Sequence, residues 1–508
     1  MKGLLLKSTA FRFLERFIIL LISLLMTPFF IHHLGEEGYG LWIIILSVLT
    51  WFNVVNLGFP SAVQRHITLA LEAGDEEQVN RVFSTSIVLF LGLGIIAATG
   101  LLTLAQFPSW LGISGPMEVT LSYCFLFLSL KILWGFLMNC LHGFYVAVLR
   151  FDIDANISSL NAIMKAIIVY LTIPQLDIYG AVLATLIADV ITNGYKVYWV
   201  KKNYPYLTFR RRFVSKAEFS SLFHFSKYVV ASGIASTINT KSDPVIVSKF
   251  MELATVTLFS IATRLCGHVQ AFVLSVSGLF QPIFTRMVAR GTNMERLYNQ
   301  VTSLNLFVCT ALFLPLFIFS PLFVELWVGP KFIPATDLIG FFIFGYMCIA
   351  VGSGVNNVLF AQANHNWIFV GNLLGAFVHI AMSVYLLEDY GLIGVAIGTP
   401  AGFIISELIF KFSLLKYYCN FRLLPIYLRF GYALVVLYGL GIPLKQWLQT
   451  YTAEQWLICF GLAFIILPIT TLIAYVAILD PEVKRKIIEL ALQIKSTRWK
   501  GSTELDNP

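Results

Sequence analysis

The sequence predicts an all-α, polytopic membrane protein, and three observations predict it. Apolar residues make up 58% of the 508 residues and charged ones only 12%, whereas an average soluble domain carries roughly twice that share of charge. The apolar character runs nearly from end to end in stretches of about 20 residues, the length that crosses a bilayer as a helix. Lys and Arg gather between those stretches, as expected of loops on the cytoplasmic side.

Read in order, the first half gives spans at 11–33, 40–63, 82–107, 117–141, 151–173 and 178–200. The run after Lys2 and Lys7 is too long for a signal-peptide core and lacks a small-residue cleavage site, so it is expected to be retained. A linker then carries Lys201, Lys202, Arg210, Arg211, Arg212 and Lys216, the densest charge in the chain. Further spans follow at 219–241, 252–285, 300–324, 335–360, 366–387, 391–415, 427–447 and 455–479, about fourteen in all. The stretch 252–285 contains Gly267, Gly278 and Pro282 and is long enough to be tilted, broken or extended.

With the N-terminus inside, about 27 of the 35 Lys and Arg residues fall on cytoplasmic loops, tails or helix ends, against about four outside. Both termini are therefore expected to be cytoplasmic. The tail 480–500, with Lys484, Arg485, Lys486, Ile487, Ile488, Leu490, Leu492 and Ile494, reads either as an amphipathic helix on the anionic inner surface or as a solvated tail. The expected organisation is a six-helix bundle (1–200), a basic linker (201–218), a second six-helix bundle (219–415), two additional helices (416–480) and a tail (481–508), with a central cavity.

Several function classes are excluded at this point. The net charge of +8 resides between apolar runs rather than on a soluble basic domain, which argues against nucleic acid. Cys124, Cys140, Cys266, Cys309, Cys348, Cys419 and Cys459 form no CxxC pair, and His142, His224, His268 and His379 are isolated, so neither a disulfide framework nor a metal site is expected. There is no nucleotide-binding loop. No connection exceeds about twenty residues, leaving no extramembranous domain to house an enzyme active site. A weak internal similarity relates 32–81 to 248–296, with Gly58, Arg65 and Gly74 matching Gly278, Arg286 and Gly291. Paired halves of this kind recur among secondary transporters.

Polar residues inside the spans mark the candidate site, because a charge at the bilayer centre costs at least about 2.5–3.5 kcal/mol and so faces protein or water. Asp154, Ser158, Asn161 and Lys165 share one helical stripe in the fifth span. Thr257, Ser260, Arg264 and His268 do so in the eighth, and Ser232, Ser236, Asn239 and Asp243 line the seventh, where Lys227 also lies. Lys131 sits near the middle of the fourth span; Arg12, Glu15, Arg16 and Arg65 lie near the inner ends of the first two. This positive lining suits an anion such as phosphate or pyrophosphate. The plainer alternatives are interfacial anchoring for Arg12, Arg16 and Arg65, and structural ion pairs for Lys131, Lys165 and Arg264. Asp189 and Glu407 either complete such pairs or, with Asp154 and Asp243, carry a coupling ion. Asn356, Asn357, Gly371, Asn372 and Gly375 are expected to serve helix packing.

The opening "FLERFIILLISLLMTPFFIHHLGEEGYGLW", the following "NLGFPSAVQRHITLALEAGD" and the later "DPVIVSKFMELATVTLFSIATRL" resemble the polysaccharide flippases of the multidrug/oligosaccharidyl-lipid/polysaccharide exporter superfamily, specifically the Wzx-type O-antigen and exopolysaccharide translocases. The resemblance covers the chain from Phe13 to the last span. It implies two six-helix bundles plus two C-terminal helices, alternating access, and movement of a polyprenyl-pyrophosphate-linked oligosaccharide across the cytoplasmic (inner) membrane of a bacterium. With no nucleotide-binding loop in the sequence, an ion gradient is the expected driving force, and no cofactor or enzymatic chemistry is expected. In similar lipid-linked precursor flippases, arginines on the first, second and eighth helices approach the pyrophosphate, and Arg16, Arg65 and Arg264 match by position. Lys131 and Lys165 have no counterpart in the family pattern. Substrate contacts are thus expected from Arg16, Arg65, Lys131, Lys165, Lys227, Arg264 and Asn161, and ion coupling from Asp154, Asp189, Asp243 and Glu407. Expected partners are the lipid-linked oligosaccharide, membrane lipids, and polymerase and chain-length proteins of the same pathway. The rival readings are a drug or small organic cation exporter and a membrane glycolipid polymerase or ligase; the excess of Lys and Arg opposes the first and the lack of a large outer loop the second.

Overall fold

The computed structural model describes residues 2–54, 58–148, 150–278, 280–362, 364–450, 456–485 and 489, with side chains from Leu14 onward except 151, 152, 228, 365, 456–460, 463 and 464. Every regular element among them is helical. That is the arrangement a bilayer enforces, since backbone groups in hydrocarbon must be satisfied within their own segment.

Contacts divide the chain into two units, one of residues 1–260 with 387–395 and one of 261–386 with 396–508. The first unit opens with α1 (Lys2–Asn53), which is two helical arms joined at Gly35. There the backbone takes φ 69° and ψ −178°, a conformation open to glycine and strained for any residue with a Cβ. The two arms are the first two predicted spans. The second arm stops at Asn53 instead of running on to 63, and Pro60 sits in the first turn of a separate helix, α2 (Phe59–Glu72). Its buried residues Phe59, Ala62, Val63, Ile67 and Ala70 fall on one face, so it is amphipathic rather than membrane-spanning.

Three long helices follow: α3 (Glu76–Gln106), α4 (Pro116–Ala147) and α5 (Phe151–Leu176). Asp75 caps α3 by accepting from the Gln78 N–H at 2.8 Å, with Glu76 and Glu77 in the first turn where the helix dipole favours acids. The sixth helix, α6 (Ile178–Asn203), ends on Lys201 and Lys202, the complementary arrangement. Buried Tyr39, Phe90, Phe125, Phe136, Phe144 and Tyr145 fill the space between these elements. Next come α7 (Lys216–Lys241), α8 (Asp243–Phe250) and the first turns of α9 (Leu253–Gly278).

The second unit contains the rest of α9, a short α10 (Gln281–Ala289), α11 (Glu295–Val328), α12 (Thr336–Ala361), α13 (His365–Tyr390) and α14 (Leu392–Phe403), the last two lending 387–395 to the first unit. The predicted span 252–285 is therefore broken. After α14 the backbone widens into a π-helical stretch, Ile404–Phe410, and resumes as α15 (Lys411–Cys419). The chain closes with α16 (Leu424–Leu434), a second π-helical stretch, Val435–Leu440, and α17 (Gly441–Leu448) and α18 (Trp456–Ile478). Leu314 and Ile318 of α11 pack with Val436 and Leu448, and Leu462, Ile466 and Ile473 of α18 cover them. Asn305 ties α11 to its neighbours, its amide nitrogen lying 3.2 Å from Ser277 Oγ, 3.1 Å from Ser353 Oγ and 3.2 Å from the Ala350 carbonyl.

Eleven helical segments among the described residues are long and apolar enough to cross a membrane. The difference from fourteen has three causes. The two arms of α1 count as one segment; α7 is too polar to qualify; and α18 has only Ile465–Ile478 as a described apolar stretch. Both units contain a long helix, a break, a short helix with proline in its first turn, and a left-handed glycine: α2 with Pro60 and Gly74 (φ 69°), α10 with Pro282 and Gly291 (φ 64°). This is the internal similarity seen in the sequence.

The tail begins in place, with Asp480 accepting from Arg429 Nη2 at 2.6 Å and Glu482 paired to Arg296 of α11. Most of the stretch expected to be amphipathic, 480–500, lies outside the described residues, as do the side chains of Arg12 and Cys459.

Candidate functional site

Helices α4, α5 and α6 carry six of the candidate site residues read from the sequence, Lys131, Asp154, Ser158, Asn161, Lys165 and Asp189. The α5 stripe faces α4 and α6, as its polarity requires. Asn161 sends its amide N–H groups 2.9 Å to Asp189 Oδ1 and 2.9 Å to Thr192 Oγ1, both on α6. Lys131 of α4 reaches the other oxygen of Asp189 at 3.6 Å. Lys165 lies one helical turn beyond Asn161 on the same stripe of α5. One turn in the other direction Ser158 is followed by Asp154, which lies 3.1 Å from His142 Nδ1 and 3.5 Å from Lys196 Nζ.

Ser158, Asn161, Asp189, Thr192 and Lys196 border a cavity of about 280 Å³ whose wall also includes Asn53, Asn139 and Asn193. The Lys131, Asp189, Lys196 and Asp154 side chains retain 16–20% of their exposure, so they are partly open and not sealed in a dry core. That distinction matters because a dry ion pair would be an ordinary packing device. The group contains three lysines, Lys131, Lys165 and Lys196, beside two carboxylates, Asp154 and Asp189. The wall offers amides and hydroxyls, which both donate and accept.

The other candidates are elsewhere. Arg16 is exposed on the first arm of α1. Arg65, on α2, holds its guanidinium 5.4 Å over the Phe225 ring of α7. Lys227 is half-buried on α7, and Asp243 is buried in the first turn of α8. Arg264 (half-buried on α9) and Glu407 belong to the second unit. Glu407 is buried in the π-helical stretch and accepts from Lys411 Nζ at 2.6 Å, both side chains being under 10% exposed.

Sequence reading missed His142, Lys196 and Lys411, having assigned the two lysines to helix ends. The signal was present: Lys196 follows Asp189 by two turns, and Lys411 follows Glu407 by the four residues that bring opposite charges together on a helix. Asn357 donates to the Ser277 carbonyl at 3.0 Å, the packing role expected of it.

Membrane-length helices around a polar pocket with charged groups define a polytopic membrane protein with a transporter fold. The same fold occurs in the solved structure of the lipid II flippase MurJ in an inward closed conformation, with a TM-score of 0.72 and 17% identity over 95% of this chain and 99% of that one. It occurs also in an inward-facing multidrug resistance MATE family transporter of the MOP superfamily, with a TM-score of 0.64 and 17% identity over 80% and 99%. Residues 33–337 match the family described as polysaccharide biosynthesis protein, and the chain belongs to that family. Among its relatives are the "Uncharacterized membrane protein EpsK" of Bacillus subtilis (strain 168), 25% identical over 77% of this chain and 78% of the relative, and the "Putative O-antigen transporter" of Shigella flexneri, 21% identical over 77% and 93%. The resemblance to Wzx-type flippases is thereby supported from sequence and fold together.

Proposed function

We propose that the chain flips a polyprenyl-pyrophosphate-linked oligosaccharide, the repeat unit of a polysaccharide, across the cytoplasmic membrane of a bacterium by alternating access, with both termini in the cytoplasm. The observation that carries this reading is the cavity among α4, α5 and α6, lined by amides, hydroxyls, Asp189 and Lys196 within helices of membrane length. Amides and hydroxyls suit the hydroxyl groups of sugars, and the lysines suit an anionic headgroup. Membership of the polysaccharide biosynthesis family and the name of the Shigella relative support the same substrate class.

In this reading Arg16, Arg65 and Arg264 attract the pyrophosphate, while Lys131, Lys165, Lys227 and Asn161 contact the headgroup and sugars. Asp154 and Asp189 are the foremost ion-coupling groups, with Asp243 and Glu407 secondary. Asp154 between His142 and Lys196 has the geometry of a proton-exchanging group, since the His142 imidazole can hand it a proton or take one back while Lys196 stabilises the ionised carboxylate. No covalent chemistry is involved, and polymerase and chain-length proteins of the pathway would receive the product. A drug exporter shares the fold, but organic cations call for a net negative pocket, and both carboxylates here are matched by cations.

The test is to replace Arg264 or Arg65 by alanine in cells that assemble the polysaccharide. The protein should remain abundant while lipid-linked oligosaccharide builds up on the inner leaflet. Normal export in both variants would remove these arginines from the proposal.

A further inference from the structure

The basic linker between α6 and α7 is held in place by α3. The Asn80 side chain accepts from the Thr208 N–H at 2.8 Å and donates to the Tyr206 carbonyl at 3.1 Å. One turn along α3, Ser84 Oγ accepts from the Arg210 N–H at 3.3 Å, and Thr85 Oγ1 accepts from the Ser215 N–H at 3.1 Å. A stripe of small polar side chains thus grips the linker backbone from 206 to 215.

Its charges are consequently fixed as a surface. Arg210 and Arg212 place their guanidinium carbons 5.9 Å and 5.0 Å from the centre of the same Phe213 ring. Lys201, Lys202, Arg210, Arg211, Arg212 and Lys216 are all exposed. Among the described residues no carboxylate lies within ion-pair distance of Arg210, Arg211 or Arg212. Apolar side chains stand beside them and point to solvent: Tyr198 is 59% exposed, Phe209 51% and Phe219 44%. Arg212 also borders a cavity of about 480 Å³ together with Glu77, Arg81, Phe213, Val214 and Ser215, where Glu77 is paired with Arg81.

We propose that this docked linker is a binding surface for the phosphate headgroups of anionic phospholipids in the leaflet it adjoins. The surface directly follows a membrane-length helix, which places it at headgroup level. Guanidinium groups match phosphate oxygens in pairs, and an aromatic ring at that level sits between headgroup and acyl chain. A soluble anionic partner would use the arginines but leave Tyr198, Phe209 and Phe219 exposed to water; a lipid surface uses both. The proposal is independent of what the protein transports.

Purified full-length protein offered equal amounts of phosphatidylglycerol and phosphatidylcholine should retain the former, as read by native mass spectrometry. In R210Q/R211Q/R212Q that retention should fall about a hundredfold, given the attraction each basic residue contributes near an anionic surface. R286Q/R290Q, on α10, should retain wild-type binding. N80A/T85V, which keeps every charge but frees the linker, should bind at an intermediate level. Equal loss in the α10 variant, or no loss in the linker variant, overturns the proposal, as does preferential retention of undecaprenyl pyrophosphate over phosphatidylglycerol. Should the triple variant fail to fold, hydrogen exchange of residues 201–216 in wild-type nanodiscs decides instead: exchange slows when phosphatidylglycerol is included, and identical exchange with and without it refutes the assignment.

Discussion

His66 lies beside Arg65 on α2, its Nδ1 3.9 Å from Glu218 and its Nε2 3.4 Å from Ser221 Oγ. Burial lowers its pKa below the ordinary value; Glu218 opposes that shift and Arg65 adds to it. Its folded state therefore resists protonation. Above about pH 6.5 both folded and unfolded forms are neutral and nothing is lost. As pH falls below that value the unfolded chain takes up the proton first, and stability declines until the lowered folded pKa is passed. H66Q should shrink the drop in thermal midpoint between pH 7.5 and pH 5.5; an unchanged drop would assign the acid sensitivity to other groups. Gly352 marks a different limit. A Cβ there would stand 1.8 Å from Glu407 Oε2 and 2.8 Å from its carboxyl carbon, and the carboxylate is fastened to Lys411. G352A should abolish folded protein, while G352A/E407A/K411M, which removes the obstruction and both charges, should recover part of it on a gel-filtration profile. Breaking the pair alone, by K411M, leaves a buried charge uncompensated and should cost about 3–5 kcal/mol.

At the scale of elements, the linker and the kink of α1 behave as built parts. N80A removes two hydrogen bonds that anchor the linker backbone, each worth about 0.5–1.5 kcal/mol net, and limited proteolysis should then cut within 201–216, where the wild type resists. The elements themselves were largely legible in the sequence, since a bilayer demands about 20 apolar residues per crossing and leaves little else to choose. Where legibility failed, a local feature had overridden composition. The second span was read as continuous to 63 because the apolar run continues past Asn53, whereas Pro60 starts a new helix. The stripe of Asp154, Asn161 and Lys165 was readable because helical periodicity puts its members on one side. Lys196 and Lys411 escaped because a lysine near the end of a span looks like an interfacial anchor; only their partners, on another helix or a π-helical turn, make them interior groups. The grip of α3 on the linker was illegible for a related reason: it joins side chains to backbone across more than 120 residues, and no periodicity encodes that.

For the molecule as a whole, the question is whether the Lys131–Asp189 pair merely holds α4 to α6 or exchanges a charge during transport. The two roles predict different behaviour. If the pair is structural, D189N leaves Lys131 without its acid in a membrane-length segment, abundance falls, and K131M/D189N restores it. If Asp189 couples an ion, D189N is the neutral state made permanent: an amide oxygen still accepts from Asn161, the 280 Å³ cavity keeps its shape, and abundance stays close to wild type. Export should then lose its response to the gradient. In everted or right-side-out vesicles loaded with lipid-linked oligosaccharide, collapsing the proton and sodium gradients should slow outward exposure of the wild-type substrate several-fold and leave the slower D189N rate unaltered. A D189N protein whose export still drops in proportion on collapse would move the coupling to Asp154, where H142Q and D154N become the decisive pair: an acid flanked by a histidine and a lysine can carry the proton cycle by itself, and Lys131–Asp189 would then be the pair that holds α4 to α6.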